Sequence, residues 1–196
     1  MSALEPMDIK ASLHRQLKFH REALLWKAAG LGERELRLPR THTGTNLLGL
    51  VKHCLGVEYG YFVTSFSRTS GLALPEADYD RDPNADLYAA EDERAEDLIR
   101  LYREVADEVD RAIDEMDLDE PGRVAWWGDR GDTTLGFVLV HVLGDIARHA
   151  GHADILREGI DGQVGLRDDN TNLWEPEGGW DTYVLRLTGI AESFEA

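Results

Sequence analysis

The sequence predicts an all-α chain, an up-and-down four-helix bundle with a short helical extension at the C-terminal end. Four long stretches place apolar residues three and four apart, the pattern of a helix that turns one face to a core. The stretches between them are rich in Gly, Pro and Asp, which end helices and favour turns. The second apolar stripe carries an imidazole, and the fourth a carboxylate and two imidazoles, where the period asks for Val or Leu, so the core has chemistry to satisfy.

Residues 7–31 form the first predicted helix, with Ile9, Leu13, Leu17, His20, Leu24 and Ala28 on one face and Gly30 and Gly32 at its end. Residues 32–43, with Pro39, read as a connection, and Thr43 or Thr45 is suited to cap the next helix. That helix spans 46–67 and lines up Leu47, Leu50, His53, Cys54, Val57 and Tyr61. Residues 68–89 hold Gly71, Pro75, Pro83 and many Asp without a sustained period, which predicts a long acidic loop or lid. A third helix is expected over 86–116, its stripe running from Ala95 through Leu98, Tyr102, Val105 and Val109 to Ile113. Residues 117–132 set Trp126 and Trp127 among Pro121, Gly122, Gly128 and Gly131, with Asp132 or Thr133 suited to cap the fourth helix. The fourth helix spans 135–162, and polarity then rises until a short final helix over 180–194. The whole chain, 1–196, reads as one domain, with 164–196 packed on the bundle as an extension.

The fourth helix is the richest in chemistry. Val138, Val142, Asp145, His149, His152 and Leu156 follow one stripe. At 100° per residue Asp145 and His149 stand about 40° apart and Asp145 and His152 about 20° apart, so three ligand-type side chains share a face. A single imidazole on an apolar stripe is usually a hydrogen-bonded core histidine. Two helices that both make this substitution point instead to a metal ion in the bundle core, with His53 meeting Asp145 and His149 from across it. Three protein ligands leave coordination positions open, the pattern of a catalytic site rather than a structural one. Cys54, beside His53 in sequence but about 100° away around the helix, reads as a buried apolar residue.

Composition excludes several functions. Lys and Arg number 21 against 38 Asp and Glu, so the formal charge is -17 and nucleic acids and anionic membranes are repelled. No run approaches the roughly 18 apolar residues of a membrane-spanning helix. One cysteine rules out an internal disulfide, and residues 1–12 lack the basic and apolar regions of a signal peptide, which together predict a cytoplasmic protein. The expected partners are a small-molecule substrate or thiol and a second copy of the chain as a homodimer.

LVKHCLGVEYGYF around His53 and HVLGDIARHAGHADILRE around His149 resemble the two signature helices of the DinB/YfiT-like metalloprotein superfamily. They are most similar to its actinobacterial branch, which includes mycothiol-dependent maleylpyruvate isomerase. The resemblance implies a four-helix bundle that binds a divalent metal, zinc or nickel, through His53, Asp145 and His149, with mycothiol as co-substrate. The middle ligand of that pattern is commonly His in DinB proteins and Glu in the isomerase branch. Here it is the shorter Asp145, which leaves His152 as an alternative ligand or a group behind the ligands. His141, one turn before Asp145, is a further candidate for that outer position, and Trp126 and Trp127 for a pocket wall. The function these expectations favour is a metal-dependent, thiol-using S-transferase or isomerase. A metal-dependent hydrolase and a non-catalytic metal-binding or stress-response scaffold share every ligand, and ligands alone do not decide between them.

Overall fold

The computed structural model describes residues 8–194; the expected helix start at Met7 lies outside them. The chain divides into two compact units, one running to Val164 and the other beginning at Gly165. Among the described residues the first unit holds α1 (Ile9–Ala28), α2 (Glu33–Arg37), α3 (Leu47–Phe62), α4 (Ala95–Glu115) and α5 (Leu135–Asp161). A two-stranded antiparallel ribbon, β1 (Pro121–Arg123) with β2 (Asp132–Thr134), precedes α5 and carries a 3-10 segment, Ala125–Arg130. The second unit contains a turn closed between Arg167 and Asn170 and the helix α6 (Gly179–Glu192). The fold is all-α, as its periodicities predict.

The long helices α1, α3, α4 and α5 enclose a core of Leu17, Leu24, Leu48, Val51, Phe62, Val105, Val109, Val138 and Val142. Side-chain pairs between helices reveal their directions. His14 near the start of α1 meets Asp110 and Asp114 near the end of α4, so these two are antiparallel. Lys52 of α3 reaches Glu93 just before α4, and Glu58 later in α3 meets Tyr102 of α4, so α3 and α4 run the same way. Tyr61 pairs with His141 while His53 pairs with Asp145, which makes α3 and α5 antiparallel. The alternation is therefore not strict: α3 and α4 are parallel, and the long connection from Val63 to Arg94 exists to return the chain to the starting end. α5 packs directly on both α1 and α3, and α3 also packs on α4.

Several element ends differ from the expectation. α4 begins at Ala95, not at Asp86. The carbonyls of residues 87, 89 and 90, which a helix would need, are taken elsewhere: Asn46 Nδ2 approaches that of Leu87, and Arg37 Nη1 donates to those of Ala89 and Ala90 at 3.0 Å. The connection over 32–43 contains α2, closed by Arg37 donating to Glu33 four residues earlier. The cap of α3 is Asn46, whose side chain accepts from Gly49 N at 2.8 Å, rather than Thr43 or Thr45. Asp132 and Thr133 lie in the ribbon instead of capping α5, whose N-cap position is Thr134.

A buried polar cluster joins three helices. Glu58 of α3 is 0 % exposed. Its carboxylate accepts from Arg21 Nε and Nη2 at 2.9 and 2.5 Å and from the Tyr102 hydroxyl at 2.6 Å, and Arg21 Nη1 donates to Asp110 at 3.0 Å. Burial works against the Arg21 charge, but Glu58 and Asp110 more than offset it and hold the guanidinium protonated. Asp110 is shifted the other way: burial opposes its charge, yet His14, Arg21 and Lys18 around it bring its pKa down to about 2.

Replacing Glu58 by Ala leaves a buried guanidinium without its counter-charge and should cost about 3–5 kcal/mol in urea denaturation; a loss near zero would show that the cluster is incidental. The folded pKa of Asp110 lies below its ordinary 3.8, so its contribution is complete above about pH 4 and disappears as pH falls toward about 2. Asp110→Asn should therefore flatten the acid limb of the stability profile in that window, measured by denaturation at a series of pH values.

Candidate metal centre

The stripe of α5 that faces the core is Val138, Val142, Ile146, Ala150, Ala153 and Leu156. It lies beside the expected one, so Asp145 and His149 flank the apolar line rather than interrupt it. Both are half-buried, and His152 is exposed. This position explains how the fold tolerates a carboxylate on this helix: at the rim it keeps contact with water and needs no fully dry counter-ion. The same holds on α3, where Val51, Cys54, Leu55 and Glu58 are buried and His53 sits at the edge turned to α5.

Because α3 and α5 are antiparallel neighbours, one level of the bundle brings His53, Asp145 and His149 together, with one donor atom from each within 4.8 Å of the others. They meet side by side across a helix pair, not from opposite walls of the core. His53 Nε2 stands 3.5 Å from one oxygen of Asp145 and His149 Nε2 stands 3.5 Å from the other. These separations are long for hydrogen bonds. They are close to the roughly 3.4 Å between two donors that each lie about 2.1 Å from a common tetrahedral ion.

The other nitrogen of His53 is occupied: Nδ1 lies 2.6 Å from Asp86 Oδ2. A carboxylate there keeps the proton on Nδ1 and turns the Nε2 lone pair toward Asp145, the arrangement that orients histidine ligands in metal sites. Asp86 went unrecognised in the sequence because it is separated from His53 by the acidic connection, which has no period; its carboxylate is one among many there. That connection does border the site. His149 Nδ1 is buried without a hydrogen-bond partner among the described residues. Two imidazole nitrogens, one on a ring with a fixed tautomer, and a carboxylate between them fit the donor set of a divalent cation.

The electrostatics agree with this grouping. Burial opposes a charge on His53, but Asp145 and Asp86 outweigh it and raise its pKa. The imidazoles of His149 and His53 hold the Asp145 carboxyl well below the usual carboxylate range, against a smaller opposing effect of burial. Cys54 is fully buried on the core side, where burial and then the carboxylates of Glu58 and Asp145 push its thiol well up, so it behaves as an apolar residue.

The remaining candidates fall outside the donor triangle. The ring of His152 meets that of His149 edge to face at 5.4 Å between centroids, and His152 does not join the group. His141 faces Tyr61, its Nε2 3.1 Å from the hydroxyl. Trp126 donates to that same hydroxyl at 3.3 Å, and Trp127 packs on Tyr61 and His141 at 5.7 and 5.1 Å. These aromatic residues cluster further along the seam between α3 and α5.

The family model described as mycothiol-S-transferase matches residues 12–162, from the first helix to the end of α5. No curated protein matches the chain.

Purified protein should carry close to one equivalent of divalent metal per chain by elemental analysis, and His53→Ala or His149→Ala should abolish it without loss of helical circular dichroism. Asp86→Asn should keep the metal but weaken its binding about 10–100-fold in competition with a chelator. Unchanged affinity in that variant would contradict the orienting role of Asp86.

Proposed function

The chain belongs to the mycothiol-S-transferase family, a DinB-like family, and from that premise we propose that it is a metal-dependent enzyme that joins mycothiol, through its sulfur, to an electrophilic acceptor. The observation that carries the reading is the convergence of His53, Asp145 and His149 at the rim of the bundle. Three donors from two helices leave positions that a small thiol can approach from solvent. A divalent ion held there, zinc or nickel, would lower the pKa of such a thiol and present its sulfur as thiolate near neutral pH.

The chain's own residues supply the rest. Asp86 holds His53 in one tautomer and one orientation. Asp145 stays ionised across the working pH range, so its charge is constant while the thiol loses its proton. In the transfer the sulfur bonds to the acceptor carbon, the bond from that carbon to its leaving group breaks with its electron pair, and the thiol proton passes to solvent. The excess of acidic residues works against nucleic acid as a partner. No helix among the described residues is long and apolar enough to cross a membrane. A small thiol in the cytoplasm fits both.

Cobalt-substituted protein should develop a sulfur-to-cobalt charge-transfer band on addition of mycothiol, and His149→Ala should remove it. Mass spectrometry should then find the thiol conjugated to an added electrophile, with a chelator abolishing turnover. Absence of the band, together with chelator-sensitive cleavage of simple esters, would replace this reading with metal-dependent hydrolysis.

A further inference from the structure

Besides supplying Asp86, the acidic connection encloses space. Between it and α3 lies a cavity of about 470 Å³, walled by Glu76, Asp78, Arg81, Asp82 and Tyr88 from the connection and by Lys52 from the helix. The chain fixes its position. Lys52 directly precedes His53, and Ala85, which also lines the cavity, directly precedes Asp86. Consecutive Cα atoms are about 3.8 Å apart, so the cavity flanks the contact between Asp86 and His53 and lies within one residue of a metal donor.

The lining combines charges of both signs. Lys52 is 5 % exposed and held in place, its Nζ donating to Glu93 Oε2 at 2.8 Å and standing 6.0 Å from the centre of the Tyr88 ring. The side chains of Arg81 and Glu76 make no hydrogen bond or ion pair among the described residues. Asp78 and Asp82 each accept one backbone N–H, from Arg81 at 3.1 Å and from Asn84 at 2.9 Å, which leaves acceptor capacity on both carboxylates. Two donor-only cations thus share the cavity with three acceptor-only carboxylates. An anionic ligand would be repelled by the carboxylates and a cationic one by Lys52 and Arg81. Nor do these carboxylates gather into a cation site, because the one group of three such donors within 4.8 Å among the described residues is His53, Asp145 and His149. A neutral ligand rich in hydroxyls fits, since a hydroxyl donates to a carboxylate and accepts from a cation through the same oxygen. Tyr88, 45 % exposed, adds a ring face against which the C–H side of such a ligand can lie.

Resting on the S-transfer reading above, we infer that this cavity is a polyol subsite that holds the sugar and cyclitol end of the thiol and so selects it over smaller thiols. Mycothiol is an N-acetylcysteine joined through an amide to glucosaminyl-inositol, with its sulfur at one end and a neutral polyol at the other. A polyol seated under the connection leaves the cysteinyl end beside His53, next to the metal donors. Arg81 and Tyr88 then determine which thiol is used while touching neither the metal nor the sulfur. A site that gives charged partners to hydroxyls discriminates against a ligand without them, because the smaller ligand makes none of those bonds.

The test uses metal-loaded full-length protein and a sulfur-free probe, N-acetylglucosaminyl-myo-inositol. Calorimetric titration should show saturable binding to the wild type. Arg81→Ala and Tyr88→Ala, both at exposed positions, should each weaken it at least about tenfold while metal content and helical circular dichroism persist. In turnover, each variant should lower the ratio of kcat/KM for mycothiol over that for N-acetylcysteine amide, which lacks the polyol, by about tenfold. No binding of the probe to the wild type, or equal affinity in the three proteins, overturns the subsite even where the cobalt thiol band forms. Probe binding that follows the variants in a protein that gives no thiol band instead upholds the polyol site and overturns S-transfer.

Discussion

The carboxylate of Glu58 is the interaction on which the arrangement depends. Placed on the inner face of α3, it takes Arg21 from α1 and the hydroxyl of Tyr102 from α4, while Arg21 goes on to Asp110. A buried ion pair of this kind adds little net stability compared with a well-packed apolar core, but it tolerates only one geometry, because any rotation of α3 would strand a charge. With α1 and α4 held on the inner side of α3, its opposite edge is committed to α5. That edge carries His53 and Tyr61, and its outward face carries Gly56 and Gly60.

The consequence is a candidate metal site at the rim rather than in the centre of the bundle. Its donors come from two neighbouring antiparallel helices, and the acidic connection closes over one side through Asp86. Parallel α3 and α4 need a long return segment, and the fold uses that segment chemically, to fix the tautomer of His53. Gly49 allows this, since only a residue without Cβ lets the Leu87 carbonyl approach so closely. The ribbon before α5 plays the equivalent part at the far end of the seam, where Gly122 accommodates the ring of Phe66 and the segment it carries lays Trp126 on Gly60.

Much of this was legible in the residues. The four amphipathic periods and their Gly, Pro and Asp punctuation predicted the bundle, because an amphipathic helix has few ways to bury its stripe. His53, Asp145 and His149 stood out as ligand-type side chains on otherwise apolar helices, and local spacing alone puts Asp145 and His149 one turn apart. The family is legible in the same two helices, whose resemblance to DinB-like proteins agrees with the match over residues 12–162.

Features that depend on long-range geometry were decided only by the tertiary structure. Periodicity placed the core stripe of α5 beside its true position, because Asp145 and Ile146 differ by one residue and only packing against α1 and α3 selects between them. It extended α4 back to Asp86, since no local signal reveals that Arg37 and Asn46 take the carbonyls there. It assigned no role to the side chains of Asp86 and Glu58, whose partners lie 33 and 37 residues away. Local sequence determines helices and the faces they present, because those arise from contacts within a few residues. The tautomer of His53 and the side of the core on which it sits come from contacts between distant segments, which exist only once the bundle has closed.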